Sequence, residues 1–140
     1  MSYREGKEFS LQDLTYKSYK GVDFEEFTTE DLNEMWRKAL KTGIHGICFS
    51  MYEDGQQPGD TITATQVERR IKIVKPYTKW IRSFSCIEGN EHIPRLAHKH
   101  GLKTMVGAWL SDDADKNEEE IASLITLANE GYVDIAAVGN

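Results

Sequence analysis

At Gly43, Gly101 and Gly131 a run of helical periodicity stops at a glycine, and a short unbroken apolar run follows within a few residues. Glycine closes a helix because it takes left-handed backbone without steric cost. Strands that each follow a helix are joined by helical crossovers, and such strands run parallel. Strands covered on both faces are apolar throughout rather than alternating. The apolar runs at residues 44–50, 80–86, 104–110 and 133–138 have that character. The order is helix, then three strand–helix units, then a strand. It predicts an α/β fold with four parallel strands, both faces covered.

The helix starts carry their own marks. Thr28 with Asp31, or Thr29 at the cap itself, opens a first helix with Leu32, Met35, Trp36, Ala39 and Leu40 at helical spacing. Thr63 and Gln66 form a capping box ahead of Val67, Ile71 and Val74, with Pro76 near the end. Gly89 and Asn90 precede Ile93, Leu96 and Ala97. Asn117 with Glu120 is expected to cap a fourth helix whose apolar stripe is Ile121, Leu124, Ile125 and Ala128. Residues 1–27 show no period and read as an irregular aromatic arm. Residues 28–140 then form one domain. A loop rich in Gly, Pro, Asp and Gln spans residues 52–60.

Composition narrows the function classes. The chain has 140 residues, 39% hydrophobic and 29% charged, with 3 prolines, which describes a globular domain and excludes collagen, low complexity and wholesale disorder. A net charge of −6 and a pI near 5.2 argue against a nucleic-acid partner, since phosphate binding needs clustered positive charge. No apolar stretch approaches the ~18 residues of a membrane span, so no membrane partner is expected. Charges interrupt the N-terminus at once, which is not a signal peptide and points to a cytoplasmic chain. Cys48 and Cys86 both sit in apolar runs and read as free core thiols.

The parallel sheet could be doubly wound or part of a barrel. A dinucleotide fold would need a Gly-x-Gly-x-x-Gly turn after the first strand, and Gly55 and Gly59 stand in another arrangement. A (β/α)8 barrel instead places its chemistry at the C-terminal strand ends. Those ends carry Tyr52 and Glu53, Glu88, Trp109 and Asn140. In order along the chain stand Gly46-Ile47-Cys48-Phe49-Ser50 with Tyr52-Glu53-Asp54-Gly55-Gln56, Trp80-Ile81-Arg82-Ser83-Phe84-Ser85, Val106-Gly107-Ala108-Trp109 and Ala137-Val138-Gly139-Asn140. Over residues 29–140 this set resembles glycoside hydrolase family 17, above all its bacterial members related to the fungal and plant β-1,3-glucanases.

The resemblance implies half of a TIM-type (β/α)8 barrel and a retaining β-1,3-glucan hydrolase. Strand four of the family ends in Gly-Asn-Glu, where the Asn holds substrate and the Glu is the acid/base; the nucleophilic Glu lies on strand seven. Asn140 matches the Asn, and neither carboxylate position falls within this chain. Retaining glycosidases need two carboxyl groups roughly 5 to 5.5 Å apart. The expectation is an N-terminal half with no catalytic residue, inactive alone, keeping at most weak binding of β-1,3-glucan. The other reading is a non-catalytic carbohydrate-binding or scaffold protein that self-associates.

The substrate-binding candidates are Tyr52, Arg82, Trp109 and Asn140. Tyr52 lies in a strand-end loop, where sites concentrate. Arg82 interrupts an apolar strand, where Arg is rare unless paired. It resembles the family's strand-two Arg, which would orient carboxylates; a structural ion pair with Glu88 or Glu53 is the alternative. Trp109 is either a sugar-stacking platform or a core aromatic. Glu53, Asp54 and Glu88 are candidate general acids or bases, with the reading as solvated or helix-capping acids preferred. His98 and His100 lie two apart on a helix and share no face, so no metal site is expected, and no pattern implies a cofactor. His92 belongs with these surface histidines. His45 begins a strand, at a barrel's stability face. The acidic run 112–120 lacks calcium-loop spacing. An unclosed sheet leaves strands one and four unpaired. The side chains Ile47, Phe49, Ile81, Phe84, Val106, Ile135 and Ala137 would face inward without partners, so a homo-oligomer is expected; the alternative is that the N-terminal arm, with its six aromatics, folds over the open core.

Overall fold

The structure, a computed structural model, describes residues 23–139. The chain divides into two compact units, Met1–Thr42 and Gly43–Asn140. Of the expected irregular arm, residues 1–22 lie outside the described residues. In the rest of the first unit, Phe24–Glu26 form a 3-10 turn whose Glu25 amide donates to the Asp23 carboxylate at 3.0 Å. Helix α1 (Thr29–Thr42) follows. Its start is a closed capping box: the Thr28 amide donates to Asp31 at 3.0 Å and the Asp31 amide donates to the Thr28 hydroxyl at 3.2 Å.

The second unit is a run of strand–helix units: β1 (Ile44–Cys48), α2 (Ala64–Val74), β2 (Thr78–Arg82), α3 (His92–Lys99), β3 (Lys103–Ala108), α4 (Ala114–Asn129) and β4 (Ile135–Val138). All pairings are parallel, in the order β1-β2-β3-β4. The α/β fold with four parallel strands in one open sheet, the arrangement of half a (β/α)8 barrel, is thus present. The glycine punctuation has the expected cause. Gly101 and Gly131 have φ of +77° and +84°. Beyond each, the chain folds back onto the helix, with Leu102 N–H on the Ala97 carbonyl at 2.9 Å and Tyr132 N–H on that of Leu127 at 3.0 Å.

Sequential parallel strands joined by right-handed crossovers carry their helices on one face. Two buried clusters lie there. Phe49, Met51 and Ile81 pack with Val67, Ile71, Ile93 and Ala97, and Val106 and Ala108 pack with Leu124 and Leu127. Several expectations need correction. Phe49, Ile81 and Val106 are buried among helices rather than left unpartnered, because the side chains of a strand alternate and these are in the helix-facing register. The opposite register carries Cys48, Arg82, Met105 and Ile135. Coverage is uneven: Ile135, in that register, is 43% exposed, and Val138, in the helix-facing register of the edge strand β4, is 64% exposed. Cys48 is exposed and only Cys86 is a core thiol.

The strands are also shorter than expected. β2 leaves the ladder after Arg82, because the Ser83 amide still bonds Met105 at 3.0 Å but the Cys86 amide turns to Glu120 on α4 at 2.7 Å. Helix α4 starts earlier than expected, since the Asp113 carboxylate caps it by accepting from the Lys116 amide at 3.1 Å. Asn117 is occupied elsewhere, and the buried stripe is Glu120, Leu124 and Leu127, with Ile125 55% exposed.

Candidate functional site

Three connections, each following a strand, meet at the C-terminal end of the sheet. They enclose an open cavity of about 470 Å³. The first wall is Phe49 to Tyr52 with Pro58. It follows β1 and is braced by α2: the Gln66 amide group donates to the Met51 carbonyl at 2.9 Å and the Arg70 Nε to the Ser50 carbonyl at 3.1 Å. Glu53 is tied to Arg69 and its amide donates to Gln56 at 2.8 Å.

The second wall follows β2 and presents Phe84, Ser85, Ile87, Glu88 and Asn90. Glu120 anchors it. That carboxylate is 2% exposed, accepts from the Ser85 hydroxyl, and takes the Cys86 amide at 2.7 Å. Ser123 donates to the Cys86 carbonyl at 2.6 Å. Burial, with Glu120 beside it, pushes the Cys86 thiol up to about 12, so it offers no thiolate at neutral pH. Glu88 has φ of +56° and pairs with Lys116 at 3.2 Å.

The third wall is Trp109, Ser111, Lys116 and Glu120. Trp109 is 46% exposed, which places its indole at the cavity surface rather than in the core. The loop behind it is held by reciprocal bonds of 2.8 Å between Ser111 and the Asn117 side chain. Gly107, in β3, explains how two of the walls come together. A Cβ there would lie 2.8 Å from the Ser83 carbonyl oxygen and 3.0 Å from Phe84 Cα. Only a bare backbone admits that approach.

Of the sequence candidates, Tyr52 and Trp109 line this cavity. Arg82 does not line it. Its guanidinium carbon lies 4.8 Å from the centre of the Phe84 ring, and its Nε is buried without a hydrogen-bond partner. The expected partners are engaged elsewhere, Glu53 with Arg69 and Glu88 with Lys116, so the ion-pair reading of Arg82 has no counterpart. Asn140 lies outside the described residues. The histidines serve other contacts: His98 meets Asp134 at 3.0 Å, His100 meets Glu68 at 2.9 Å, and His45 stacks on Trp80 at 5.9 Å. Lys99 and His100 draw the Glu68 carboxyl down to about 2. Among the described residues no cluster of metal-ligating side chains exists and no helix is long and apolar enough to cross a membrane.

Sequence reasoning missed Glu120 and Ser85. Glu120 was expected as an N-terminal capping acid, yet it falls four and seven residues before Leu124 and Leu127, on the buried stripe. That spacing was the available sign.

The walls offer aromatic and aliphatic surface, hydroxyls, one amide, a cation matched by the Glu88 carboxylate, and the Glu120 carboxyl group with both oxygens hydrogen-bonded. Such a site suits an uncharged ligand that combines apolar faces with hydrogen-bonding groups.

No protein-family model matches the chain, and no curated protein does. Two solved structures do, both of a β-1,3-glucanosyltransferase from Rhizomucor miehei. One is the glycoside hydrolase family 17 enzyme and the other an active-site mutant in complex with laminaritriose. Each superposes with a TM-score of 0.55 at 21% identity, over 71% of this chain and 37% of the other. The chain thus spans well under half the length of the structures it matches, and it has a glycoside hydrolase family 17-like fold.

Proposed function

We propose that the cavity binds β-1,3-linked glucan and that these 140 residues bind it without cleaving it. The observation that carries the reading is Trp109. The residue is 46% exposed at a concave, hydroxyl-lined site beyond the C-terminal ends of three parallel strands. An indole face suits the C–H face of a pyranose ring, and strand C-terminal ends are where such folds bind ligands. The fold likeness to a protein solved with laminaritriose supports the ligand class. Non-cleavage rests on the carboxylates. Retention needs two carboxyl groups roughly 5 to 5.5 Å apart across the scissile bond, one as acid/base and one as nucleophile. Of the two at this cavity, Glu120 has both oxygens bonded and Glu88 is paired with Lys116.

Titration with laminaritriose, followed by tryptophan fluorescence or calorimetry, tests the binding. Trp109→Ala should weaken it roughly fivefold, for a stacking loss of about 1 kcal/mol. An unchanged affinity in that variant overturns the assignment. Release of reducing ends from laminarin by purified chain, absent with a mock preparation, overturns the claim of non-cleavage.

A second reading is favoured by the exposed edge strand β4, where Ile135 and Val138 stand in solvent. Unpaired strand edges template association. In that reading the chain is a half-barrel scaffold that forms a homo-oligomer. A monomer at every concentration in sedimentation counts against it.

A further inference from the structure

We infer that Glu120 is a positioning residue. It fixes the loop between β2 and α3 in the shape that sets Glu88 on the cavity rim, and so decides which sugar linkage the site accepts. The inference rests on the glucan-binding reading and deepens it.

A buried carboxylate is costly unless its charge is met by hydrogen bonds or a cation. Glu120 has no cationic partner among the described residues, and both of its partners, the Ser85 hydroxyl and the Cys86 amide, belong to that loop. Both of its carboxyl oxygens therefore accept from this one loop. One turn along α4, Ser123 takes the Cys86 carbonyl. Helix α4 thus grips both the N–H and the C=O of one loop residue.

The grip is transmitted. The Ser85 hydroxyl that donates to Glu120 accepts from the Ile87 amide at 3.2 Å, and the Ile87 carbonyl accepts from the Asn90 amide at 3.0 Å and from its side chain at 2.9 Å. Between them stand Glu88 and Gly89, at φ of +56° and +90°. Glu88 is the one non-glycine with positive φ among the described residues. Such backbone persists where its surroundings over-determine it, and it clusters at ligand sites. Gly89 is held as closely, since a Cβ there would meet the Ile62 carbonyl oxygen at 2.9 Å.

The result is a carboxylate and an ammonium side by side on the rim, Glu88 and Lys116 at 3.2 Å. Lys116 comes from α4 as well, so anchor and rim share one rigid element. An acceptor beside a donor matches hydroxyls on adjacent ring carbons. Which hydroxyls arrive there depends on how the next ring is linked, so a fixed rim discriminates linkages.

The test compares wild type with Glu120→Ala, Glu120→Gln and Ser123→Ala. Each is titrated with laminaritriose and with its 1,4-linked counterpart cellotriose, and the folded fraction is checked by circular dichroism. Glu120→Ala should weaken laminaritriose roughly tenfold, the scale of one lost hydrogen bond, and bring the two affinities towards equality. Glu120→Gln should restore most of the difference, since its amide can accept from Cys86 and donate to Ser85. If Glu120→Ala does not fold, Ser123→Ala, which loosens the same loop from outside the cavity, should narrow the same ratio. A folded Glu120→Ala, or failing that Ser123→Ala, with the wild-type affinity ratio overturns the inference while leaving the binding reading intact. A wild-type chain that binds neither sugar overturns the reading, and the inference with it.

Discussion

Replacing Gly107 by alanine adds a single methyl group at a point where backbone stands in the way. The nearest atoms to the new carbon would be the Ser83 carbonyl oxygen at 2.8 Å, Phe84 Cα at 3.0 Å and the Phe84 carbonyl carbon at 3.1 Å. None is the end of a flexible side chain, so the strain cannot be relieved by a rotamer change. Residues 83 and 84 must move away from β3, although the Ser83 amide is bonded to Met105 at 3.0 Å and the Arg82 carbonyl accepts from Phe49 at 2.9 Å. Overpacking of this kind costs about 2 kcal/mol. For a chain of this length that corresponds to a fall in Tm of roughly 7 °C. The same displacement moves Phe84 and Ser85 in the cavity wall, so laminaritriose affinity should fall with stability. Gly131→Ala separates the two effects. It meets nothing within 4 Å but must take φ of +84°. It should cost about 1 kcal/mol through the backbone alone and leave affinity untouched. Thermal melts by circular dichroism and a titration on each variant decide the matter. A Gly107→Ala protein with wild-type Tm and affinity refutes the close-approach argument.

Two further outcomes follow from charge and burial. At pH 8 an aromatic disulfide reagent should label Cys48 quickly, because it is exposed, while Cys86, pushed up to about 12 by burial and Glu120, should react only after denaturation; rapid labelling of both thiols in folded protein contradicts the placement. Burial opposes ionisation of Asp134, but the Thr104 amide, His98 and Lys103 outweigh it and hold the carboxyl below its ordinary 3.8. A lowered folded pKa stabilises above the unfolded value, and that contribution is lost as pH falls through the folded one. Asp134→Asn should therefore cost roughly 1 kcal/mol at pH 7, and the deficit should shrink below about pH 4; a deficit that stays constant with pH shows that the charge does not matter.

The local signals were legible because their causes are local. Thr28 with Asp31 and Thr63 ahead of Gln66 cap helices through atoms three residues apart. Gly101 and Gly131 end helices because of their own backbone. The fourth helix was misplaced because Asp113 and Asn117 both look like caps in isolation. Asn117 is held by Ser111 in the preceding loop, a contact that spacing within the helix does not reveal. Trp109 was recognisable as a residue with two roles, but exposure alone assigned it to the cavity.

The sequence by itself determined the α/β class, the parallel order and the C-terminal strand ends as the place to look. Those follow from periodicity and from glycine's backbone, which act over a few residues. Tertiary structure alone decided which strand register faces the helices, that Glu120 is an anchor and that Gly107 is a point of close approach. Each depends on atoms more than twenty residues away, whose arrival no spacing along the chain records.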